Sequence, residues 1–304
     1  MHIDDKGLQA NRLCSCLAAS MYVNREGYLM RAGFIGTGSM GSILIKAFIH
    51  SGAFTPEQII AGNRTLSKAE RLAETYPGLK TARSNIEVAL DSDIIFLCIK
   101  PFEYKKVIDE IKQAVLPSQI IVSITSPVLI KHLENLLPAK ITKVIPSITN
   151  YVLSGAALCI YGDRMLPEDK DIMENLLAHI GTPIQVSEHY TRICSDLSSC
   201  GPAFLAFFIQ KFIEAAVQET GISGEEAALL ASEMALGTGK LLTTGGFSPT
   251  SLQKRVSVPG GITEEGLRIM EAELKDMFNK LVRTTHAKYE DDIEKLENLF
   301  TKIQ

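Results

Sequence analysis

One short segment constrains the fold of this chain more than any other, because it places three glycines between a predicted strand and a predicted helix. The segment Gly36-Thr37-Gly38-Ser39-Met40-Gly41 directly follows the apolar run Ala32–Ile35 and leads into the helical pattern Ser42–His50. Glycines at this spacing allow a tight turn, a close approach of the backbone to a pyrophosphate, and close packing of the helix on the strand. The N–H groups at the start of the helix favour an anion. The segment therefore predicts a dinucleotide-binding turn.

The rest of the N-terminal half supplies the context that this turn requires. From Arg31 onward, short apolar runs alternate with helical patterns, which is typical of a parallel sheet with crossover helices. Helix starts are predicted at Thr55–Gln58, which has proline in the first helical position, and at Ser67–Glu70, which has the pattern of a capping box. We expect an α/β fold with a Rossmann-type doubly wound sheet over residues 30–186. The predicted strands are Ala32–Ile35, Ile59–Gly62, Lys80–Ala82, Ile94–Ile99, Ile120–Ile124, Lys143–Ile145, Ala156–Tyr161 and Ile184–Val186.

Helical patterns fill nearly all of the chain after Val186. The helix over Ala203–Val217 is apolar on most of its faces, so it must be buried in a core or against another subunit. We therefore expect an all-helical substrate and dimerisation domain over residues 187–304, in a homodimer or a larger homo-oligomer. Its predicted helices are Pro202–Glu219, a helix from a capping box at Ser223 to Leu242, Thr263–Thr285 and Ala287–Phe300.

Composition and charge narrow the class of partner. The chain carries 31 Lys and Arg against 35 Asp and Glu, a net charge of −4, which does not indicate a nucleic-acid-binding protein. No uncharged apolar run reaches the ~18 residues of a membrane span, so we expect no membrane insertion. The cysteines show no zinc-type CxxC pair and the histidines no metal-ligand spacing, so we expect no metal and reduced thiols. A small-molecule partner and a cytoplasmic location are predicted.

Residues 1–29 precede the first predicted strand. The stretch Leu13–Val23 is apolar enough to resemble the core of a signal peptide. However, Asp4 and Asp5 stand where such a peptide carries positive charge, and a strand follows directly behind it. We predict a loose N-terminal extension, with Met30 as a natural start of the folded chain.

The residues after the second predicted strand discriminate between the two nicotinamide cofactors. An NAD-binding protein usually carries Asp or Glu there, whereas the 2′-phosphate of NADP needs positive charge and hydroxyls. This chain has Asn63, Arg64 and Thr65. No carboxylate repels the phosphate, and Arg64 can pair with it through two charge-assisted hydrogen bonds. We expect NADPH in preference to NADH, the alternative being that Arg64 is a solvated surface residue.

Four segments resemble, in order, the landmarks of pyrroline-5-carboxylate reductases. They are residues 30–41, Cys98–Pro101, Ser198–Phe204 and Val258–Leu267. Within that family the chain is most similar to the divergent bacterial branch called ComER, which is encoded with late competence genes. The resemblance implies an N-terminal Rossmann domain, a helical domain that dimerises by intertwining, and NAD(P)H-dependent reduction of a cyclic imine to proline.

The resemblance also implies roles for individual residues. Asn63, Arg64 and Thr65 are similar to the family's 2′-phosphate segment, and Asn85 to an asparagine beside the adenosine. The loop under the cofactor is implied at Cys98, Ile99, Lys100 and Pro101. Substrate binding is implied at Glu188, Val258, Gly260, Gly261, Ile262 and Thr263.

The double glycine of the substrate loop suits its implied role on physical grounds as well. Gly260 and Gly261 free the backbone to turn N–H groups toward a small carboxylate. Thr263 adds a hydroxyl at or near the N-cap and is the candidate catalytic residue. On spacing alone, the same pattern also suits an ordinary capped start of a helix.

The chain departs from the family on the substrate side. Ser147 stands where the family has a longer asparagine, and the apolar Val258 and Ile262 replace a serine and a threonine of the substrate loop. A site that loses hydrogen-bonding groups can lose orders of magnitude in discrimination. Asp196 adds a negative charge near the implied carboxylate site, and Arg255 adds a positive charge that can offset it or bind another group.

Two interpretations of function follow from an intact cofactor segment beside an altered substrate segment. The first is an NADPH-dependent cyclic-imine reductase with weakened activity, since a protonated imine needs no catalytic dyad. The second is a nucleotide-binding regulatory protein, related to competence or sporulation, with little or no turnover. A 3-hydroxyacid dehydrogenase fits poorly. Its proton-transferring lysine should follow the glycine motif closely, and the nearest candidate, Lys211, lies inside a mostly apolar helix.

Overall fold

The computed structural model describes residues 29–301, and residues 1–28 and 302–304 lie outside this description. The predicted N-terminal extension falls on undescribed residues except for Leu29, so it stays a prediction. The strands are β1 (Ala32–Ile35), β2 (Ile59–Gly62), β3 (Lys80–Ala82), β4 (Ile94–Leu97), β5 (Ile120–Ser123), β6 (Lys140–Ile145), β7 (Ala156–Tyr161) and β8 (Thr182–Gln185). The helices are α1 (Ser39–His50), α2 (Leu66–Thr75), α3 (Asn85–Leu90), α4 (Tyr104–Ile111), α5 (Ile130–Glu134), α6 (Pro167–Ala178), α7 (Thr191–Ser195), α8 (Gly201–Thr220), α9 (Gly224–Thr243), α10 (Pro249–Val256), α11 (Ile262–Leu274) and α12 (Met277–Thr301).

The eight strands join one sheet in the order β3-β2-β1-β4-β5-β6-β7-β8. Neighbouring strands are parallel except β6 and β7, which are antiparallel. The link between β6 and β7 contains only the short 3₁₀ turn Ile148–Val152. A link of this length is too short for the crossover that parallel pairing needs. The sheet confirms the predicted Rossmann-type α/β fold.

Apolar side chains pack on both faces of this sheet. On one face, Phe34 and Phe96 stack with their ring centroids 4.7 Å apart, and Phe48 of α1 packs beside them. On the other face, Leu97 belongs to a second cluster that includes Leu296 of α12. Burial of both faces explains why the central strands are continuous apolar runs in the sequence. The same packing fixes the carboxyl ends of β1, β2, β3 and β4 along one edge of the sheet.

The chain divides into two units. Among the described residues, the first unit holds 29–200 and 286–301, and the second holds Gly201–Thr285. Residues 187–200 and the C-terminal part of α12 therefore belong with the sheet, whereas the sequence places both in the helical domain. The physical reason is clear for α12. Leu296 is fully buried in the core beside the sheet, and Lys131 Nζ lies 2.9 Å from Glu297 Oε1.

The second unit consists of α8 to α11 and the start of α12, and many of its large apolar side chains are exposed. No residue of α8 is buried, and Phe207 and Phe212 are 62% and 60% exposed. An exposed apolar surface of this size marks an interaction surface. The helical stretch Glu188–Thr220 is also long enough, and with a mean hydropathy of 1.4 apolar enough, to span a membrane. Core helices of soluble proteins meet the same two criteria, so this is weak evidence for a span.

One predicted helix start is correct in position but opens a turn and not an α-helix, and another is wrong. The Thr55–Gln58 pattern opens only the 3₁₀ turn Pro56–Gln58, because β2 begins at the next residue. Helix α2 begins at Leu66, with Thr65 as its N-cap in place of the predicted Ser67. The third predicted start is confirmed, since the hydroxyl of Ser223 accepts the N–H of Glu226 at 3.1 Å.

The predicted division of the last two helices is also wrong. Helices α11 and α12 are separated at residues 275–276, and α12 continues through His286. Lys275 keeps helical dihedral angles, with φ −42° and ψ −46°, so the interruption is a local distortion of a helical path. The sequence patterns do not predict α10, although Ser248 caps it and Pro249 is its first residue.

Candidate active site

The glycine-rich turn has the geometry that its spacing predicts. Gly36 has φ +101°, a conformation that favours glycine, and a Cβ there would clash with the carbonyl oxygen of Cys98. A Cβ at Gly41 would clash with the carbonyl oxygen of Gly36, so only glycine lets α1 pack this close to β1. Gly38 differs, because no atom lies within 4 Å of the position that its Cβ would occupy. The protein therefore leaves no room for a side chain at Gly36 or Gly41, whereas the space beside Gly38 is open.

The open side of the turn suits a negatively charged group. Gly38 is the N-cap of α1, and it provides no side-chain acceptor for the first N–H groups of the helix. The first turn of α1 also contains no acidic residue. Thr37 is only 4% exposed, and within residues 29–301 its Oγ1 has no hydrogen-bond partner. The N-terminus of α1, with no side-chain cap and no acidic residue, favours the pyrophosphate of a dinucleotide.

Asn63 at the end of β2 holds the turn in place. Its Oδ1 accepts the backbone N–H of Thr37 at 3.1 Å, and its Nδ2 donates to the carbonyl oxygen of Thr65 at 2.9 Å. Because both ends of the amide are engaged, Asn63 acts here as a brace for the backbone. The contact with the 2′-phosphate that the family resemblance implies for Asn63 stays a prediction, and the residue also lines the groove described next.

A groove of about 510 Å³ opens at the carboxyl ends of β1, β2, β3 and β4, which is where ligands bind in doubly wound sheets. Most of the predicted cofactor residues meet there: Gly36, Gly38, Asn63, Arg64, Thr65, Asn85, Cys98, Ile99 and Lys100. Five others are adjacent in sequence but do not line the groove: Thr37, Ser39, Met40, Gly41 and Pro101. Thr37 and Gly41 are buried behind the turn, and Met40 packs on the core.

Three cations of the groove are missed by the sequence analysis: Lys68, Arg83 and Lys106. Two of them carry a signal that could have identified them. Lys68 follows Arg64 by four residues at the start of α2, and Arg83 directly follows β3. With Arg64 and Lys100 the groove has five cations against two carboxylates, those of Glu103 and Glu110. The excess of positive charge favours a ligand with several phosphates.

The two carboxylates of the groove contact the two residues that the resemblance assigns to the adenosine end of the cofactor. Arg64 is 83% exposed in its side chain, and its NH1 lies 3.4 Å from Glu103 Oε1. Asn85 donates from its Nδ2 to Glu110 Oε2 at 2.6 Å. A phosphate on Arg64 therefore has to compete with Glu103 for the guanidinium group.

The loop after β4 lies against the glycine-rich turn. Burial raises the pKa of the Cys98 thiol, because desolvation penalises the thiolate, so Cys98 acts as a small packing residue. Ile99 is held by Thr125, whose hydroxyl donates to its carbonyl oxygen at 3.3 Å. Pro101 opens a 3₁₀ turn to Glu103, with Lys100 as its N-cap. The loop is held by these contacts, and Lys100 lines the groove.

The predicted substrate loop lies in the second unit, at the start of α11. Gly260 has φ +70°, and the N-cap is Gly261, so Thr263 lies two residues inside the helix and not at the cap. Val258 and Ile262 are 62% and 95% exposed, and neither side chain can donate a hydrogen bond. Arg255 is exposed near the end of α10.

Ser147 and Asp196 are engaged inside the first unit. Ser147 is fully buried, and its hydroxyl donates to the carbonyl oxygen of Ser198 at 2.9 Å. Ser198 belongs to the π-helical segment Asp196–Cys200, a rare geometry that often marks functional sites. Asp196 is buried, and Arg192 NH2 lies 2.8 Å from its Oδ1. Asp196 therefore has a counter-charge within the first unit, and of the two roles predicted for Arg255 this favours the binding of another group.

Glu188, a predicted substrate residue, holds a buried lysine. Its Oε1 lies 2.6 Å from Lys143 Nζ and also accepts the backbone N–H of Ile130 at 3.0 Å. Lys143 is fully buried, so desolvation lowers the pKa of its amine and the Glu188 carboxylate opposes that shift. The ammonium also donates to the carbonyl oxygen of Ser126 at 3.1 Å. Glu188 thus connects β6 to the segment before α7, a structural role that leaves its substrate role a proposal.

Two family descriptions match separate parts of the chain. The family described as pyrroline-5-carboxylate reductase dimerisation matches residues 188–292. The family described as NADP oxidoreductase, coenzyme F420-dependent, matches residues 31–127. The first covers the helices of the second unit, and the second covers the strands and turns that build the groove.

Known proteins match over most of the chain. ComE operon protein 4 of Bacillus subtilis (strain 168) is 40% identical over 271 residues, which cover 89% of this chain and 99% of that protein. A pyrroline-5-carboxylate reductase of Methanosarcina acetivorans is 30% identical over 243 residues, which cover 79% and 89%. The crystal structure of Plasmodium falciparum pyrroline carboxylate reductase with NADP bound has a TM-score of 0.74 at 26% identity, covering 90% of this chain and 98% of that one.

Proposed function

The chain belongs to the pyrroline-5-carboxylate reductase family, and we propose that it is an NADPH-dependent reductase of a cyclic imine with weakened activity. The proposed substrate is pyrroline-5-carboxylate or a close relative. The observation that carries the proposal is the groove at the carboxyl ends of β1 to β4, with Gly38 open and Arg64 at its wall. The NADP in the Plasmodium relative supports NADPH as the cofactor.

Residues of the first unit fit the parts of this cofactor. The N–H groups at the start of α1 would bind the pyrophosphate, and Arg64 would pair with the 2′-phosphate. Lys68, Arg83 and Lys106 add positive charge along the same groove. No carboxylate follows β2, which is where an NAD-binding protein holds the ribose hydroxyls.

For this reaction the protein chiefly has to bind the cofactor and the substrate and orient them toward each other. When bound, NADPH supplies the hydride that reduces the C=N bond. The loop from Val258 to Thr263 would anchor the carboxylate of the substrate, and Thr263 is the proposed catalytic residue there. Because Val258 and Ile262 offer no hydrogen bonds, we expect low affinity for the substrate with hydride transfer retained.

The decisive experiment is an assay of NADPH oxidation with freshly prepared pyrroline-5-carboxylate, with proline measured as the product. We expect slow proline formation and a high KM. A control without the imine corrects for background oxidation of NADPH. If the protein binds NADPH but neither it nor the Val258→Ser, Ile262→Thr variant reduces pyrroline-5-carboxylate or the unsubstituted ring imine 1-pyrroline, the proposal is wrong.

A second candidate is a nucleotide-binding regulatory protein with little or no turnover. The 40% identity to ComE operon protein 4 and the apolar substrate loop favour it. Intact NADPH binding without turnover, in the natural protein and in the loop variant, is the result that this candidate predicts.

We propose a homo-oligomer joined through the second unit. The match to the dimerisation family and the exposed apolar side chains of α8 support it. Light scattering at micromolar concentration should show a dimer or a larger assembly. A well-folded monomer under those conditions contradicts the pairing.

A further inference from the structure

The carboxylate of Glu264 occupies the substrate loop. Glu264 lies in the first turn of α11, and its Oε2 accepts the backbone N–H of Gly260 at 2.6 Å. A hydrogen bond from an N–H to a carboxylate is charge-assisted and stronger than a neutral one. The first glycine of the loop therefore donates to this chain's own acid.

The second glycine is engaged as well. The N–H of Gly261 donates to the carbonyl oxygen of Val258 at 2.8 Å. Both donors of the double glycine thus have acceptors inside the loop. A substrate carboxylate could take the Gly260 N–H only by displacing Glu264.

The negative charge at the loop also disfavours a substrate carboxylate. Both acids in the first turn of α11 are exposed: Glu264 and Glu265. Glu265 has its own cation, since Arg268 NH2 lies 2.5 Å from its Oε2, whereas Glu264 points back to the loop. A carboxylate on the loop repels an anionic substrate and attracts a protonated imine. The apolar side chains of Val258 and Ile262 add no donor that could compensate.

We infer that Glu264 is a specificity-determining residue that closes the substrate loop to carboxylates, so that the site favours cyclic imines without a ring carboxylate. This inference rests on the proposed reductase function. The natural protein then prefers 1-pyrroline to pyrroline-5-carboxylate, and its weak formation of proline reflects the acid in the loop as well as the lost hydroxyls.

The test compares kcat/KM for 1-pyrroline and pyrroline-5-carboxylate in the natural protein and in Glu264→Ala. The variant should raise the value for pyrroline-5-carboxylate about tenfold, the worth of one hydrogen bond to a charged group, without raising the value for 1-pyrroline. Glu265→Ala removes the same charge one residue away and should leave the ratio near that of the natural protein. Glu264→Gln keeps the shape without the charge and should shift the ratio in the same direction.

Binding gives a readout that needs no turnover. Calorimetry of the NADP⁺-loaded protein with pyrrolidine and with L-proline should show a preference for pyrrolidine that Glu264→Ala reduces about tenfold. If no imine is reduced but this shift in binding occurs, the reductase proposal fails and the role of Glu264 stands. A natural protein that prefers L-proline, a ratio that Glu264→Ala leaves unchanged, or no binding of either compound overturns the inference.

Discussion

The side-chain oxygen of Asn63 accepts the backbone N–H of Thr37 at 3.1 Å, so the end of β2 fixes the glycine-rich turn that follows β1. Its amide nitrogen is engaged by the carbonyl oxygen of Thr65. The residue that resembles a phosphate contact in the sequence holds the backbone of the turn, and its neighbour Arg64 is the residue proposed to pair with the 2′-phosphate. Asn63 positions the backbone of the turn, and the charged group proposed to contact the phosphate belongs to the next residue.

The first prediction concerns two glycines of the same turn. Gly38→Ala should leave the melting temperature nearly unchanged, because its backbone is extended and no protein atom lies within 4 Å of the new Cβ. It should weaken NADPH binding by about 1–3 kcal/mol, since the methyl group fills the space proposed for the pyrophosphate. Gly41→Ala should instead lower the free energy of unfolding by about 1–3 kcal/mol.

Thermal melts and NADPH titration of both variants separate these effects. Gly41→Ala is the control for strain inside the protein, because its Cβ would meet the carbonyl oxygen of Gly36. Unimpaired NADPH binding by a well-folded Gly38→Ala variant would place the cofactor elsewhere.

The second prediction concerns the choice of cofactor. Arg64→Ala should remove about 1.5–3 kcal/mol from NADPH binding, the worth of a hydrogen bond to a charged group, and leave NADH binding little changed. Glu103→Gln should act in the opposite direction, because it removes the carboxylate that lies 3.4 Å from the Arg64 guanidinium. Fluorescence titration of each variant with NADPH and with NADH measures these binding free energies.

Arg71→Ala is the matched control, since it removes an exposed arginine of α2 that does not line the groove. Equal weakening of NADPH and NADH by Arg64→Ala would show that this residue does not contact the 2′-phosphate.

The third prediction concerns the buried pair of Lys143 and Glu188. Glu188→Ala should lower the free energy of unfolding by about 3–5 kcal/mol, because it leaves a fully buried ammonium without its carboxylate. The double variant Lys143→Met, Glu188→Gln should be closer to the natural protein. Urea titration gives both values.

An exposed pair provides the comparison. Lys131→Ala breaks the contact with Glu297 and should cost only about 0–1 kcal/mol. A Glu188→Ala variant no less stable than Lys131→Ala would mean that the Lys143 amine is neutral in the folded protein.

The sequence predicts the position of every strand of the sheet. The central strands are the clearest, because strands buried on both faces are continuous apolar runs. The largest difference in extent is at β6, which begins at Lys140 and not at the predicted Lys143. Strands β4, β5 and β8 differ from their predicted bounds by one or two residues. The polar residues of β6 interrupt the apolar run by which the central strands are predicted. They are tolerated because Lys140 pairs with Asp169 and Lys143 with Glu188, at separations of 29 and 45 residues. Partners this distant cannot be inferred from one sequence.

The sites show a similar division. The glycine spacing predicts the turn because a Cβ at Gly36 or Gly41 would clash with a nearby carbonyl oxygen, and Gly38 leaves space for a ligand. The contact of Glu264 with Gly260 is visible in the sequence only as a spacing of four residues. It becomes a contact because Gly260 adopts φ +70°, which turns its N–H toward the helix. The π-helical segment Asp196–Cys200 has no local signal that we can identify.

The fourth prediction concerns stability in acid. His132 stacks on Phe300 with ring centroids 4.7 Å apart, and burial lowers the pKa of its imidazole from 6.5. Between the lowered pKa and 6.5 the unfolded chain binds a proton that the folded chain resists, so stability falls as the pH falls through 6.5. His132→Phe keeps the stacking and removes the titration. Its melting temperature relative to the natural protein should rise as the buffer is taken from about pH 7 to about pH 5. A difference that does not change with pH contradicts the assignment.

The last prediction concerns the substrate loop. Val258→Ser and Ile262→Thr together should raise kcat/KM for pyrroline-5-carboxylate, each restored hydrogen bond contributing about 0.5–1.5 kcal/mol. Both side chains are exposed, so the changes need no repacking. Ser147→Asn is not a useful third change, because Ser147 is fully buried and its hydroxyl donates to the carbonyl oxygen of Ser198.

Steady-state rates measure the gain in kcat/KM. Val256→Ser, which replaces an exposed valine at the end of α10, is the matched control. Thr263→Ala should lower whatever activity exists. An equal gain from Val256→Ser would show that the loop hydroxyls do not contact the substrate.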